Sequence, residues 1–234
     1  MFPKSEKKNT EQISSLSGTQ KLQYFWDYYK LHLITVLVLL GSLCSFLHHR
    51  LTQKETVLYL GFANVVIGDD SSKKFGDDFL STNHQNPSKK QVYFYKDLSL
   101  TDEANSINQE YAYVSRMKLL ASIEARQLDI VLMNQEAFDA FSQSGYLDDM
   151  DKLLQTKLPK LYPDLKDTLS LNTTSSGEDA ADDSSKVETY AMAINLDTSP
   201  LIKKLGFPDT VYLGVLKNSP RKETAAAYIQ YLFK

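Results

Sequence analysis

The longest apolar run in the chain lies near its N-terminus, from Tyr28 to Leu47. Its larger part, from Leu33 onward, contains no charged residue. Twenty helical residues at 1.5 Å per residue measure about 30 Å, which matches the hydrocarbon thickness of a bilayer. A helix in a globular core is rarely apolar on every face. The pattern therefore predicts a single transmembrane helix over residues 28–47.

The charges on the two sides of this segment predict its orientation. Lysines are frequent before it and at its start, whereas Arg50 and Lys54 are the nearest cations after it. Cytoplasmic flanks carry the excess of Lys and Arg, so we expect residues 1–27 in the cytoplasm and the rest of the chain outside. The leader is long, and no small-residue cleavage pattern follows the apolar core, which favours an uncleaved signal anchor. Leu43 precedes Cys44 where a lipid-modified cysteine would need a small residue.

After the anchor, short apolar runs alternate with helical patterns. Five runs are predicted as strands: Val57–Ala63, Val92–Tyr95, Asp129–Met133, Tyr190–Leu196 and Val211–Leu216. The first and third are almost continuously apolar, which is typical of strands covered on both faces of a parallel sheet. After a linker at 48–55, we expect an α/β domain over residues 56–234, with a mainly parallel sheet and flanking helices.

Three helical patterns lie between or after these strands, and a polar region lies between the third and fourth strands. The strongest helix is predicted over Ser106–Arg126, and its apolar residues recur at steps of three and four as one stripe. The stripe consists of Ile107, Tyr111, Val114, Met117 and Ala121. Shorter helices are predicted around Phe138 and Phe141 and over Thr224–Phe233. The acidic, small-residue segment at 171–186 is predicted as a flexible loop.

The composition of the chain limits the kinds of partner and site that can be expected. The formal net charge is −3, so we expect no nucleic-acid partner. One cysteine excludes an internal disulfide, and three of the four histidines lie in or beside the apolar segment. The chain has no phosphate-binding glycine loop, no nucleophile elbow and no zinc motif. We therefore expect no metal site, no cofactor and no enzymatic activity.

Acidic residues gather in one stretch, LDIVLMNQEAFDAFSQSGYLDDM, and just after it. Apart from Asp129, which belongs to the predicted strand, they are Glu136, Asp139, Asp148, Asp149 and Asp151. Paired carboxylates can act as general acid and base when their environments separate their pKa values. The first two, however, lie in the first turns of a predicted helix, where the helix dipole favours negative charge. The last three lie at a turn, where one of them is expected to cap the next helix.

A ligand site is predicted at the ends of the strands. In an open α/β sheet, ligands bind in the crevice outside the carboxyl ends of the strands. The polar residues expected at such ends are Asn64, Lys96, Asn134 and Gln135. We interpret these four as candidate ligand-binding residues.

The acidic stretch also resembles a segment of the extracytoplasmic solute-binding proteins of bacterial ABC importers. In that family a strand D-[IV]-[VL]-x-[LM] precedes a helix, a glycine and a phrase similar to G-x-L-x-D-L-x-x-L. The matching positions here are Asp129, Ile130, Val131, Met133, Gly145, Leu147, Asp149, Met150, Leu153 and Leu154. The run Tyr212–Phe233 is similar to the family's returning strand and helix. The stretches Tyr190–Phe207 and Lys21–Ile34 resemble parts of small membrane-anchored proteins of Gram-positive bacteria that carry a reduced domain of this kind.

The resemblance implies the fold of one lobe of a type II periplasmic binding protein. A full member encloses its ligand between two lobes, but at the place of the second lobe this chain has only residues 152–187. We therefore expect a membrane-anchored, non-catalytic, extracytoplasmic binding protein with a single lobe. Its expected partners are the membrane and either a small solute or an ABC permease or other envelope protein.

Two other hypotheses remain open. The domain could be an interaction module that docks on a transporter or another envelope protein and binds no small ligand. The abundance of tyrosine, 14 residues in the chain, favours this alternative because tyrosine is enriched at interfaces. A third hypothesis, an envelope hydrolase, requires Asp148, Asp149 and Glu136 to share one pocket.

Overall fold

The computed structural model describes residues 18–68, 72–100, 106–176 and 186–234, and divides the chain into two units, Met1–Gln53 and Lys54–Lys234. In the described part of the first unit, helix α1 extends over Gly18–Thr52. Its segment Lys30–Leu47 is long and apolar enough to cross a membrane, and none of that segment is buried in the protein. The predicted transmembrane residues thus belong to one continuous helix, whereas residues 1–17 of the predicted cytoplasmic tail lie outside the described part.

In the second unit, strands and helices alternate as predicted. The strands are β1 (Glu55–Ala63), β2 (Lys90–Leu98), β3 (Ile130–Met133), β4 (Leu169–Ser176), β5 (Lys186–Asn195) and β6 (Tyr212–Val215). A π-helical turn, Lys74–Asp78, leads into α2 (Phe79–Thr82), and a 3₁₀ turn, Lys166–Thr168, precedes β4. The remaining helices are α3 (Ser106–Glu124), α4 (Gln135–Gln143), α5 (Met150–Lys157), α6 (Tyr162–Leu165), α7 (Pro200–Leu205) and α8 (Lys222–Leu232).

The six strands form one sheet in the order β2-β1-β3-β6-β5-β4. β1 pairs in parallel with β2 on one side and with β3 on the other. The pairs β3–β6, β6–β5 and β5–β4 are antiparallel. The α/β class is confirmed, and the sheet is parallel around β1 but mixed as a whole. The pair β4–β5 is antiparallel as expected for two strands that follow one another without a crossover helix in the described residues.

Strand β4 corrects the predicted loop at 171–186. Residues Leu171–Ser176 belong to β4, and Lys186 begins β5, so only residues 177–185 stay outside the described part. Among the described strands β4 pairs with β5 alone, from Leu169 opposite Ile194 onward. An edge strand needs no continuous apolar run, and its threonines favour extended backbone. The polar composition was therefore a poor guide to its structure.

Apolar side chains fill both faces of the sheet. Ile130 and Leu132 of β3 point into a core under α5, α7 and α8, while Val131 and Met133 point into a second core under α3 and α4. All four are fully buried, as predicted for a strand covered on both faces. At Gly214 of β6 an added Cβ would lie 2.7 Å from a methyl carbon of Leu147 and 2.9 Å from that of Met133, so a larger residue there would require both side chains to move.

Helix α3 forms where it was predicted but faces the other way. Four members of the predicted stripe, Tyr111, Val114, Met117 and Ala121, are exposed, and the side chain of Ile107 lies outside the described residues. The buried face consists instead of Ala112, Ser115, Leu119, Ser122 and Ile123. Three of those five side chains are small, which lets the helix lie close to the sheet.

Candidate functional site

Asn64 joins the end of β1 to the neighbouring elements. It adopts a left-handed backbone conformation (φ 54°), which asparagine tolerates better than most residues. Its N–H donates to the Leu98 carbonyl at 2.8 Å, and its Oδ1 accepts from the Leu100 N–H at 2.7 Å. Its Nδ2 donates to Oε2 of Glu136 at 3.3 Å. This predicted ligand residue therefore holds the ends of β1, β2 and α4 together.

Asn134 and Gln135 lie beside it, directly after β3. Asn134 caps helix α4, because its Oδ1 accepts from the Ala137 N–H at 3.0 Å. Gln135 is exposed, and its Nε2 donates to Oδ1 of Asp139 at 3.0 Å. The prediction that polar residues gather at the carboxyl ends of the strands describes these positions, but their side chains are used by the fold.

Lys96 has a different position from the other three candidates. It lies within β2, shortly before the last strand residue, Leu98, and its side chain is half-buried. The site formed by Asn64, Asn134 and Gln135 is thus centred on β1 and β3.

A groove of about 430 Å³ opens between α3 and α4 next to this site. Its apolar walls come mainly from Leu100, Leu119, Leu120, Ala140, Phe141 and Tyr146, and its polar groups from Arg116, Glu136, Asp139, Gln143 and Ser144. Sequence reasoning missed it, because a groove between two helices depends on their packing. The volume lies within the range of small-molecule pockets.

The two carboxylates of this groove make hydrogen bonds to neutral amides. Glu136 accepts from Asn64, and Asp139 accepts from Gln135 and, at 2.9 Å, from Nδ2 of Asn172 on β4. Arg116, on the opposite wall, donates to the Leu100 carbonyl at 3.5 Å. The groove therefore combines an apolar interior with a mainly acidic rim on the α4 side.

The other acids of the stretch have local roles. Asp149 caps α5 through a bond from the Lys152 N–H at 3.1 Å, which confirms that one acid of this turn is a helix cap. Asp148 forms an ion pair with Lys222 at 2.6 Å. Asp151 accepts from the Tyr162 hydroxyl at 2.7 Å.

Asp148 and Asp149 line a separate cavity of about 450 Å³, together with Thr189, Tyr190 and Lys217. Glu136 lines the α3–α4 groove instead. The condition that the hydrolase hypothesis requires, a pocket shared by these three acids, is not met in the described residues. In the described part of the chain, no group of three or more His, Cys, Asp or Glu residues could hold a metal ion.

A buried carboxylate, which the sequence placed only as the first residue of a predicted strand and of the family resemblance, lies at the opposite end of β3. Asp129 is fully buried, and its oxygens accept from the Tyr59 N–H at 2.9 Å and the Ser219 hydroxyl at 2.6 Å. Arg221 pairs with it at 3.2 Å and stacks over the Tyr59 ring at 4.7 Å. These bonds satisfy the carboxylate, so it braces the chain where β3 begins and α8 starts. The signal in the sequence was an acid placed directly before a fully apolar strand.

The outer face of α3 carries an exposed apolar surface. Tyr113 is 63% exposed, Val114 56% and Met117 50%, and Leu120 connects them to the α3–α4 groove. A surface helix of a monomer ordinarily turns polar residues to solvent. Exposed apolar surface of this kind is a mark of an interaction site.

No family model, curated protein or solved structure matches the chain.

Proposed function

We propose that this chain is a membrane-anchored, non-catalytic binding protein that docks on another envelope protein through the outer face of α3. The apolar run of α1 supports the anchor. The excess of lysines before that run supports a cytoplasmic N-terminus and an extracytoplasmic α/β domain.

The observation that carries this proposal is the exposure of Tyr113, Val114 and Met117 along one helix face. The predicted ligand-binding residues at the strand ends also support docking. Hydrogen bonds within the protein use the side-chain polar groups of Asn64, Asn134 and Gln135, which favours a structural role over ligand contact. An ABC permease remains the partner class that the resemblance to solute-binding proteins suggests.

Substitution of the α3 surface tests the proposal. The tagged full-length protein would be purified from its own host membranes, and co-purifying proteins would be quantified by mass spectrometry. We expect Met117→Asp to lower the recovery of the partner at least tenfold, because a charge enters an apolar contact. Ser81→Asp, at an exposed position on α2, is the matched control and should retain it. Equal recovery with both variants would exclude the α3 face as the docking surface.

A small solute is the second candidate, and the α3–α4 groove favours it. An apolar interior beside Glu136 and Asp139 suits a ligand that joins an amine to an apolar group. A panel of organic amines, sugars and peptides added to the full-length protein would reveal such a ligand by a rise in Tm. The rise should disappear in Glu136→Gln, and absence of any rise across the panel leaves protein docking as the function.

A further inference from the structure

We propose that the outer face of α3 receives an amphipathic helix of another protein, with Lys or Arg residues at both ends of its apolar stripe. The inference rests on the proposed docking function and specifies the chemistry of the partner.

The spacing of the exposed residues fits a helical partner. Val114, Met117 and Ala121 follow one another at steps of three and four along one face of α3. This is the spacing of side chains at a helix–helix seam. Leu120 borders the seam and also lines the α3–α4 groove, so a side chain of the partner can enter the groove beside it. An amphipathic helix laid on an apolar surface is a recurrent mode of recognition.

Acidic residues close the seam at both ends. Glu110 and Glu124 continue the steps of three and four beyond Val114 and Ala121, and both are exposed. They are fourteen positions apart in the sequence, which corresponds to about 21 Å along the helix. Glu136, also exposed, adds a third carboxylate on the groove side. A partner helix with cations about four turns apart complements this pattern.

The cations of α3 lie outside the seam. Arg116 donates to the Leu100 carbonyl and lines the groove. The ammonium group of Lys118 lies 5.6 Å from the centre of the Tyr95 ring of β2. The two charged residues in line with the seam, Glu110 and Glu124, are therefore both acidic, and electrostatic complementarity favours a partner with cations at the matching positions.

The same charges disfavour a second copy of this chain as the occupant. If two α3 helices packed antiparallel around Met117, Glu110 of one copy would oppose Glu124 of the other. If they packed parallel, each glutamate would oppose its own counterpart. Like charges placed opposite one another destabilise either arrangement. They also disfavour an anionic lipid surface, which binds helices with basic flanks.

Photo-crosslinking in the native membrane tests the inference. A photoreactive phenylalanine would replace Val114 in the full-length protein, with the same substitution at Ser81 as the control. The crosslinked partner would be digested, and the peptide joined to α3 would be sequenced. We expect position 114, and not position 81, to crosslink to a segment with apolar residues at helical spacing and with Lys or Arg at both ends of that apolar stripe.

Charge reversal provides the second measurement. In the Val114 crosslinking background, Glu110→Lys with Glu124→Lys should lower the yield about tenfold, and Glu110→Gln with Glu124→Gln should lower it less. An unchanged yield in the lysine variant overturns the inference. A crosslink to an acidic or extended protein segment also overturns it. So does a crosslink to lipid or to a second copy of this chain.

The two proposals fail in different ways. A protein crosslink at position 114 to a segment of other chemistry leaves docking intact and removes the basic-helix partner. The absence of any protein crosslink from position 114 removes both. All the substituted side chains are exposed, so we expect each variant to keep its fold. An unchanged near-UV circular dichroism spectrum is the check.

Discussion

Helices α3 and α8 have similar apolar spacing in the sequence, but α8 buries its apolar stripe and α3 exposes it. Helix α8 buries Ala225, Tyr228, Ile229 and Leu232 completely, among α2, α5, α7 and β1. Helix α3 lies against the edge strand β2, and its largest apolar side chains point outward. Periodicity thus predicts a helix, whereas the elements packed around the helix decide which of its faces is buried. An apolar face left outside is then a candidate for function.

The largest effect is expected where α8 is joined to the sheet. Asp129→Ala removes the carboxylate that pairs with Arg221, the residue just before α8, and leaves the Tyr59 N–H and the Ser219 hydroxyl without this acceptor. We expect the free energy of unfolding of the full-length protein in detergent to fall by about 4 kcal/mol. Urea denaturation followed by near-UV circular dichroism measures it. Asp164→Ala, at an exposed acid, is the control; a loss below about 1 kcal/mol for Asp129→Ala would contradict the bracing role.

A core truncation in α8 comes next. Ile229 is fully buried, so Ile229→Ala removes apolar contacts and leaves a cavity. We expect a loss of about 3 kcal/mol in the same denaturation experiment. A loss of only a few tenths would mean that α8 is not held in the core as described.

Tyr228 permits a stabilising change. Its hydroxyl is buried without a hydrogen-bond partner among the described residues, and burial raises its pKa well above the usual value. Tyr228→Phe removes an unpaired polar group, so we expect stability to rise by about 1 kcal/mol. Tyr231→Phe is the matched control, because the Tyr231 hydroxyl donates to the Lys74 carbonyl at 2.7 Å, and its loss should lower stability. If both variants behave alike, the Tyr228 hydroxyl has a partner.

The smallest effect is expected on α3. Met117→Ala trims an exposed side chain, so the free energy of unfolding should change by less than about 0.5 kcal/mol. Measured beside Ile229→Ala, this variant isolates the difference between the two helices. A loss near that of Ile229→Ala would show that the outer face of α3 is covered in the free protein, and the docking proposal would fail with it.

Much of the scaffold follows from local patterns. The predicted apolar runs lie in β1, β2, β3, β5 and β6, and the acid cap of α5 is Asp149, because these features depend on side chains close in the chain. The polar ends of β1 and β3 were also predictable, since Asn64 and Asn134 follow apolar runs directly.

Other features needed the tertiary structure. Strand β4 is polar because only one of its edges is paired, and the outward turn of α3 depends on small residues such as Ser115 and Ser122. The α3–α4 groove depends on how two helices pack, and the brace at Asp129 joins residues about ninety positions apart. None of these leaves a periodic signal.

The position of β6 has a consequence for the order in which the protein is made. β6 lies between β3 and β5, yet it is the last strand to leave the ribosome. Until residues 212–215 arrive, β3 and β5 each present an open edge, and the two halves of the sheet have no strand between them. Open edges of this kind promote aggregation. The described sheet is therefore complete only after residue 215 has been synthesised, and a chain truncated before β6 cannot close it.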